Sequence, residues 1–347
     1  MTWFVVQLFI MESLTGIIMF FAIIVISLLY DFFNCKKRLG LRIGLVVLII
    51  LVPVSASLYV YQILKPMIKV ETVDFSHLDK KTKAGNDYWH DTIHNGIEDG
   101  EYIGLYYCKK ELLETWAMRS ELPVGGKTLN GEPLESTLAR YLTSKGLRKD
   151  TDGVLALTDE DIRNIENGLA NYNNWKHPGL RARLSVTAFE YEKYKRSNNP
   201  NGGSISQRFE YTKASLYLIG KHLLLGVGTG DIPQAYCDAY NELNSPLQEA
   251  FRNRAHNQYL SITVGFGLVG LLWFLVVLLL PYLSSKKNRT YLYTVFTAIM
   301  LLSMLPEDTI ESQAGVSLYT FFNALLLFAV PKDKGHETSQ DDTMEIK

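Results

Sequence analysis

Charge is what large parts of this sequence lack. Residues 1 to 62 hold only six Asp, Glu, Lys or Arg residues and residues 257 to 330 hold six more, so the other 59 crowd into residues 63 to 256 and the last 17. The whole-chain figures, a net charge of −1 over 347 residues and a mean hydropathy of +0.02, average two chemically different materials. Cysteine is also scarce. The three thiols, Cys35, Cys108 and Cys237, form no CxxC pair, which excludes a zinc ribbon and a thioredoxin-like redox site. In an oxidising compartment Cys108 and Cys237 have the chemistry to form one disulfide, and two separate buried thiols are an equal alternative. A basic excess is missing too, with 35 Lys and Arg against 36 Asp and Glu, which argues against nucleic acid as a partner. The first eleven residues, MTWFVVQLFIM, are apolar without the basic start of a cleaved leader.

The charge-poor regions contain five stretches near the roughly 17 to 25 residues needed to cross a bilayer. They cover residues 14–30, 41–64, 257–280, 290–305 and 314–330, the last two at the short end. The expected fold is therefore an all-α polytopic membrane protein of about five transmembrane helices, with a large, mostly helical domain inserted between the second and third. N-terminal membrane helices take up residues 1–64, the inserted domain 65–255, C-terminal membrane helices 256–330, and a polar tail 331–347. Lys36, Lys37, Arg38 and Arg42 lie between the first two spans and Lys286, Lys287 and Arg289 between the third and fourth. Keeping both basic loops cytoplasmic puts the tail inside, and it puts the acidic turn PEDTIES and the inserted domain outside. A transporter reading fails because no ionisable group falls in mid-span.

Within the inserted domain, Thr158 and Asp161 have capping-box spacing ahead of Ile162, Ile165 and Leu169. Other helices are expected over about residues 100–119 and about 135–145, the latter stopped by Gly146. After the loop SNNPNGGS, a helix over 204–224 begins at Ser204 as N-cap with Gln207 at the reciprocal position. Ile205, Phe209, Leu216, Ile219 and Leu223 share one of its faces and Arg208, Lys213 and Lys221 make it basic. That pattern fits a helix lying in the membrane interface and fits equally an amphipathic helix packed on the domain.

Few side chains here can carry chemistry. The run GVGTG at 226–230 follows a helix rather than a strand, so it reads as a helix stop and tight turn, not a nucleotide loop. His90 and His94 are spaced i, i+4 but lack a third ligand, and a solvated or core pair is the plainer reading. Arg252, Arg254, His256 and Asn257 crowd the outer mouth of the third span. Free N–H groups and the positive dipole end there favour an anion, and guanidinium groups grip phosphate oxygens. The same positive surroundings would keep His256 neutral and able to take a proton. Anchoring to anionic headgroups explains the same cluster equally well.

The succession SQRFEYTKASLYLI, LLLGVGTGD and RAHNQYL running into GFGLVGLLWFLVVLLLP resembles the O-antigen ligase family of membrane glycosyltransferases. The family includes O-antigen polymerases and protein O-oligosaccharyltransferases. The segment TLARYLTSKGLRKDTDGVLALTDEDIRNIENGLA is similar to the outer domain of Bacteroidetes-type members, and EDTIESQAGVSLYTFFNALLL fits as well. The resemblance implies a bacterial inner-membrane enzyme with its inserted domain in the periplasm. It would transfer a glycan from undecaprenyl diphosphate to a hydroxyl of lipid A core or of another glycan, without metal or other cofactor.

By the same resemblance Arg208 matches the diphosphate-holding arginine and His256 the histidine that activates or positions the acceptor. Arg254 and Arg252 join the phosphate contacts, with Asn257 and Glu311 in support, although a solvated outer-turn acid is the plainer reading of Glu311. Where the family places an arginine at the outer end of the first span present here, this chain aligns Leu14. Members also carry further spans ahead of this region. The alternative is a truncated or non-catalytic accessory protein that binds lipid-linked glycan, or one that pairs with a separate N-terminal half.

Overall fold

The computed structural model describes residues 7, 14–34, 39–69, 72–93, 96–284 and 289–329. The expected basic loop residues Lys36, Lys37, Arg38, Lys286 and Lys287, the second histidine His94 and the 331–347 tail lie outside the described residues. The chain is mostly helical and divides into two compact units. One takes in residues up to Ile18, Val47–Lys213 and Tyr240–Asn253; the other takes in Met19–Val46, Ala214–Ala239 and the residues from Arg254 onward.

Two long apolar helices open the chain, α1 (Leu14–Asn34) and α2 (Leu39–Ile68). A third, α11 (Gln258–Leu283), follows the polar region. These three are long and apolar enough to cross a membrane. At 1.5 Å per residue even the 21 residues of α1 reach about 30 Å, the thickness of a bilayer core. None of the most apolar stretch of α2 is buried by protein, and Ile43, Leu51 and Leu58 each expose more than half their surface, a face suited to lipid. The last two expected spans are shorter. They are the apolar helices α12 (Tyr291–Ser303) and α13 (Gln313–Ala324), the latter prolonged by a π-helical turn at Leu325–Ala329.

In the second unit the hydroxyl of Tyr30, near the end of α1, donates to the Arg289 carbonyl at 3.2 Å, and Ser27 meets Tyr291 at 3.0 Å. The chain therefore leaves α1 and enters α12 at the same end of this unit. The Arg289 guanidinium donates to the carbonyls of Tyr282 and Leu283, closing the C-terminus of α11.

The polar part of the first unit is built on short helices: α3 (Lys109–Ala117), α4 (Leu134–Ser144), α5 (Thr151–Leu155), α6 (Asp159–Glu166) and α7 (Tyr172–Lys176). Their apolar faces meet in one core around Trp116, Leu138, Tyr141, Leu142 and Ile165, all fully buried. The capping box at Thr158 and Asp161 forms as its spacing predicts, and α4 stops before Gly146, whose φ of 71° suits only glycine well. Burial works to raise the Asp161 pKa, but donation from Lys145, Tyr141 and Thr158 outweighs it and holds the carboxyl at about 2.

The helix expected over 100–119 is shorter and starts later. Asp99 and Gly100, at φ 50° and 90°, form a two-residue turn that pairs β1 (Ile97–Glu98) with β2 (Glu101–Tyr102), and helix begins only at Lys109. An Asp-Gly pair at positive φ is the preferred chemistry of such hairpins, and it overrides weak helical spacing.

Helix α8 (Leu180–Ser197) leads into α9 (Ser204–Lys221), and α10 (Ile232–Glu242) follows the glycine-rich turn. Gly203, not Ser204, gives α9 its first intrahelical carbonyl, bonded by Gln207 N–H. The Ile205 N–H donates to the Glu190 carboxylate of α8, while the Gln207 side chain accepts from Tyr211. The expected reciprocal box is thus replaced by a carboxylate supplied by the preceding helix. On α9 the buried positions are Ser206, Glu210, Tyr211, Ala214, Ser215 and Leu218, whereas Phe209 and Leu216 are exposed.

Candidate functional site

Helix α11 begins in a polar knot within the second unit. Asn257 is its N-cap, accepting from Leu260 N–H at 3.0 Å, and its amide nitrogen donates to the Leu305 carbonyl at 2.8 Å. Gln258 is fully buried. Its side-chain oxygen accepts from Ile310 N–H, its amide donates to Glu311 at 3.3 Å, and its own backbone N–H donates to Met304. One turn on, the Ser261 hydroxyl donates to Asp308 at 2.7 Å and to the Ala255 carbonyl at 3.2 Å. A buried amide satisfied at both ends fixes register, because misplacing it would leave polar groups unpaired. These bonds clamp the turn after α12, residues 304–311, onto the start of α11.

That clamp brings three carboxylates to the two cations read from the sequence. The Arg254 guanidinium pairs with Glu311 and lies 3.9 Å from Asp308, with about half of its side chain still exposed. His256 Nδ1 is 3.6 Å from a Glu307 carboxylate oxygen, inside ion-pair range but too long for a hydrogen bond. The expected positive mouth therefore also holds acidic groups. Tyr236 backs the knot: its hydroxyl accepts from Ala255 N–H and meets Ser215 at 2.7 Å, and burial raises its pKa.

The glycine-rich turn has a different use from phosphate binding. Helix α11 is broken at Gly267, where φ is 66° and ψ −168°. Across the break the N–H groups of Val227 and Gly228 donate to the carbonyls of Val264 and Gly265, and the N–H groups of Leu268 and Val269 donate to those of Leu223 and Leu224. Residues 223–228 thus supply the partners that a continuous helix would have supplied to itself. Only glycine permits this approach, since a Cβ on Gly267 would sit 2.1 Å from the Leu224 carbonyl oxygen and one on Gly226 2.5 Å from the Gly265 backbone.

Arg208 and Arg252 belong to the first unit. Arg208 is half-buried on α9, two residues before Glu210. Burial would raise the Glu210 pKa, but donation from Lys213, Ser245 and Tyr194 keeps it low. Arg252 donates to Asn241 at 2.7 Å and to the Leu247 carbonyl at 3.2 Å and lies 5.6 Å from the Tyr240 ring, so it ties the end of α10 to the segment leading into α11.

His90 uses both ring nitrogens on backbone: Nδ1 accepts from Tyr106 N–H and Nε2 faces the Asp79 carbonyl at 3.0 Å. Cys108 is buried and Cys237 exposed, and both are free thiols. Among the described residues no three His, Cys, Asp or Glu side chains gather as a metal-ligand set. Sequence reasoning missed Gln258, Ser261, Glu307 and Asp308. The one available signal was the cation-free acidic turn PEDTIES, complementary in charge to RNRAH.

Residues 179–275, from the start of α8 to the middle of α11, match the family model described as O-antigen ligase. The matched segment is similar to that family and takes in Arg208, Arg252, Arg254, His256 and Asn257, while Glu311 and its turn lie beyond it. Together with the three long apolar helices the match supports a membrane protein. No curated protein and no solved structure matches the chain.

Proposed function

We propose that a chain carrying this ligase segment is an inner-membrane glycosyltransferase that moves a glycan from undecaprenyl diphosphate to an acceptor hydroxyl at the periplasmic face. The observation that carries the reading is the pairing of Arg254 and His256, both inside the matched segment, with the acidic turn that lies beyond it.

In the reaction an acceptor oxygen attacks the anomeric carbon, the bond from that carbon to the diphosphate oxygen breaks, and the electron pair leaves with the diphosphate. The leaving group is already a stable anion, so the protein has to neutralise growing charge rather than supply a strong acid. Arg208 and Arg254 provide guanidinium groups for that charge. Glu311 and Asp308 keep Arg254 aimed. His256 Nε2 takes the hydroxyl proton as the new bond forms, with Glu307 stabilising the imidazolium that results. Asn257 and Arg252 shape the start of α11 and the segment before it. The donor's own leaving group drives the transfer, so neither nucleotide nor metal is required.

The full chain in nanodiscs, given lipid-linked oligosaccharide and an acceptor, should transfer glycan in the presence of a chelator. His256→Ala and Arg208→Ala should each lower the rate about a hundredfold or more while the thermal midpoint stays put. Unchanged transfer in both variants would sink the assignment.

A further inference from the structure

A concavity of the first unit lies between the starts of α3 and α4 and is lined by none of the residues of the proposed site. It encloses about 920 Å³, in the size range of small-ligand sites. Trp89 stands at its wall with 60 % of its surface exposed, although tryptophan is normally well buried in a folded domain. The ring is rigidly mounted: Trp89 and Tyr107 exchange both backbone hydrogen bonds, at 2.8 and 3.1 Å, and their rings meet edge to face at 6.2 Å. Exposure of this residue is thus built in by the backbone.

Polar groups rim the aromatic wall. The Tyr107 hydroxyl donates to Glu135 Oε1 at 2.6 Å and Lys109 Nζ reaches the same oxygen at 3.4 Å, so both contacts fall on one carboxylate oxygen. Burial and the neighbouring carboxylate raise the Tyr107 pKa, which keeps it a donor. Asp87, Lys110 and Ser136 also line the cavity. A flat indole beside carboxylate and hydroxyl acceptors and ammonium donors matches the pyranose ring, which offers one face of C–H bonds and an edge of hydroxyl groups. The near balance of acid and base disfavours a strongly charged ligand.

We infer that this cavity is a saccharide-binding subsite, held by Trp89, Tyr107 and Glu135, that grips a glycan chain with residues the transfer chemistry does not use. The inference rests on the proposed function only for the source of the sugar, the glycan handled by the same chain. It accounts for a charged inserted domain whose own core needs no exposed tryptophan.

The test is calorimetric titration of the full chain in nanodiscs with polysaccharide released by mild acid from the producing cells' lipopolysaccharide. Saturable binding is expected, with Trp89→Ala and Glu135→Gln each weakening it about tenfold or more. Trp89→Phe should bind within a few-fold of the parent, which separates loss of the stacking face from misfolding. His256→Ala should bind as the parent does. Absence of saturable binding, or equal affinity in Trp89→Ala, would overturn the inference. Should His256→Ala and Arg208→Ala retain transfer while Trp89→Ala still loses binding, the transfer assignment falls and the subsite stands.

Discussion

At the scale of single residues, Arg254 and His256 were legible because both sit in one short polar run beside an apolar helix. Their partners were not. Glu307, Asp308 and Glu311 lie some fifty residues along the chain, and only the folding of α12 back onto α11 puts them within reach. Asn257, expected in support of the site, bonds the backbone with both ends of its side chain, as a cap does. Glu307 is the residue whose role is most open to measurement, since it touches His256 without bonding it. If it stabilises the imidazolium formed during transfer, Glu307→Gln should lower the transfer rate about tenfold or more with an unchanged thermal midpoint. Glu307→Asp should recover part of the rate. A Gln variant with parental activity would reduce the contact to incidental proximity.

At the scale of elements, local signals served well where local chemistry decides. The Thr158 capping box and the stop at Gly146 needed nothing beyond their neighbours. The start of α9 failed because its capping carboxylate comes from Glu190 on another helix, and the 100–119 helix failed because the Asp99-Gly100 hairpin signal outweighed it. The glycines of GVGTG and GFG were visible as glycines, but their shared purpose, a backbone bridge across a broken helix, appears only when the two segments are side by side. That bridge makes a severe prediction. Gly267→Ala places a methyl group into the Leu224 carbonyl at a positive φ, so it should destabilise the chain by about 3 kcal/mol or more. A thermal melt in detergent should show a large fall in midpoint. Gly220→Ala, where a Cβ meets nothing within 4 Å, serves as the control and should leave the midpoint in place.

At the scale of the whole molecule, hydropathy alone located α1, α2 and α11, the three helices long enough to span. The fourth candidate, read over 290–305, folds as the shorter Tyr291–Ser303, because composition carries no record of where a helix stops, while the fifth keeps its expected extent. Orientation is open to a direct measurement because Cys237 is exposed and Cys108 buried. In intact spheroplasts of a Cys35→Ser, Cys108→Ser variant, a membrane-impermeant maleimide should label Cys237 from outside. Labelling only after lysis would invert the proposed topology. The broken helix also orders the birth of the protein. Residues 223–228 leave the ribosome before residues 264–269, so the strand that completes the break is already made when the break emerges. A helix that meets lipid with four open backbone groups has its partners waiting, and synthesis in the reverse order would leave those groups facing hydrocarbon.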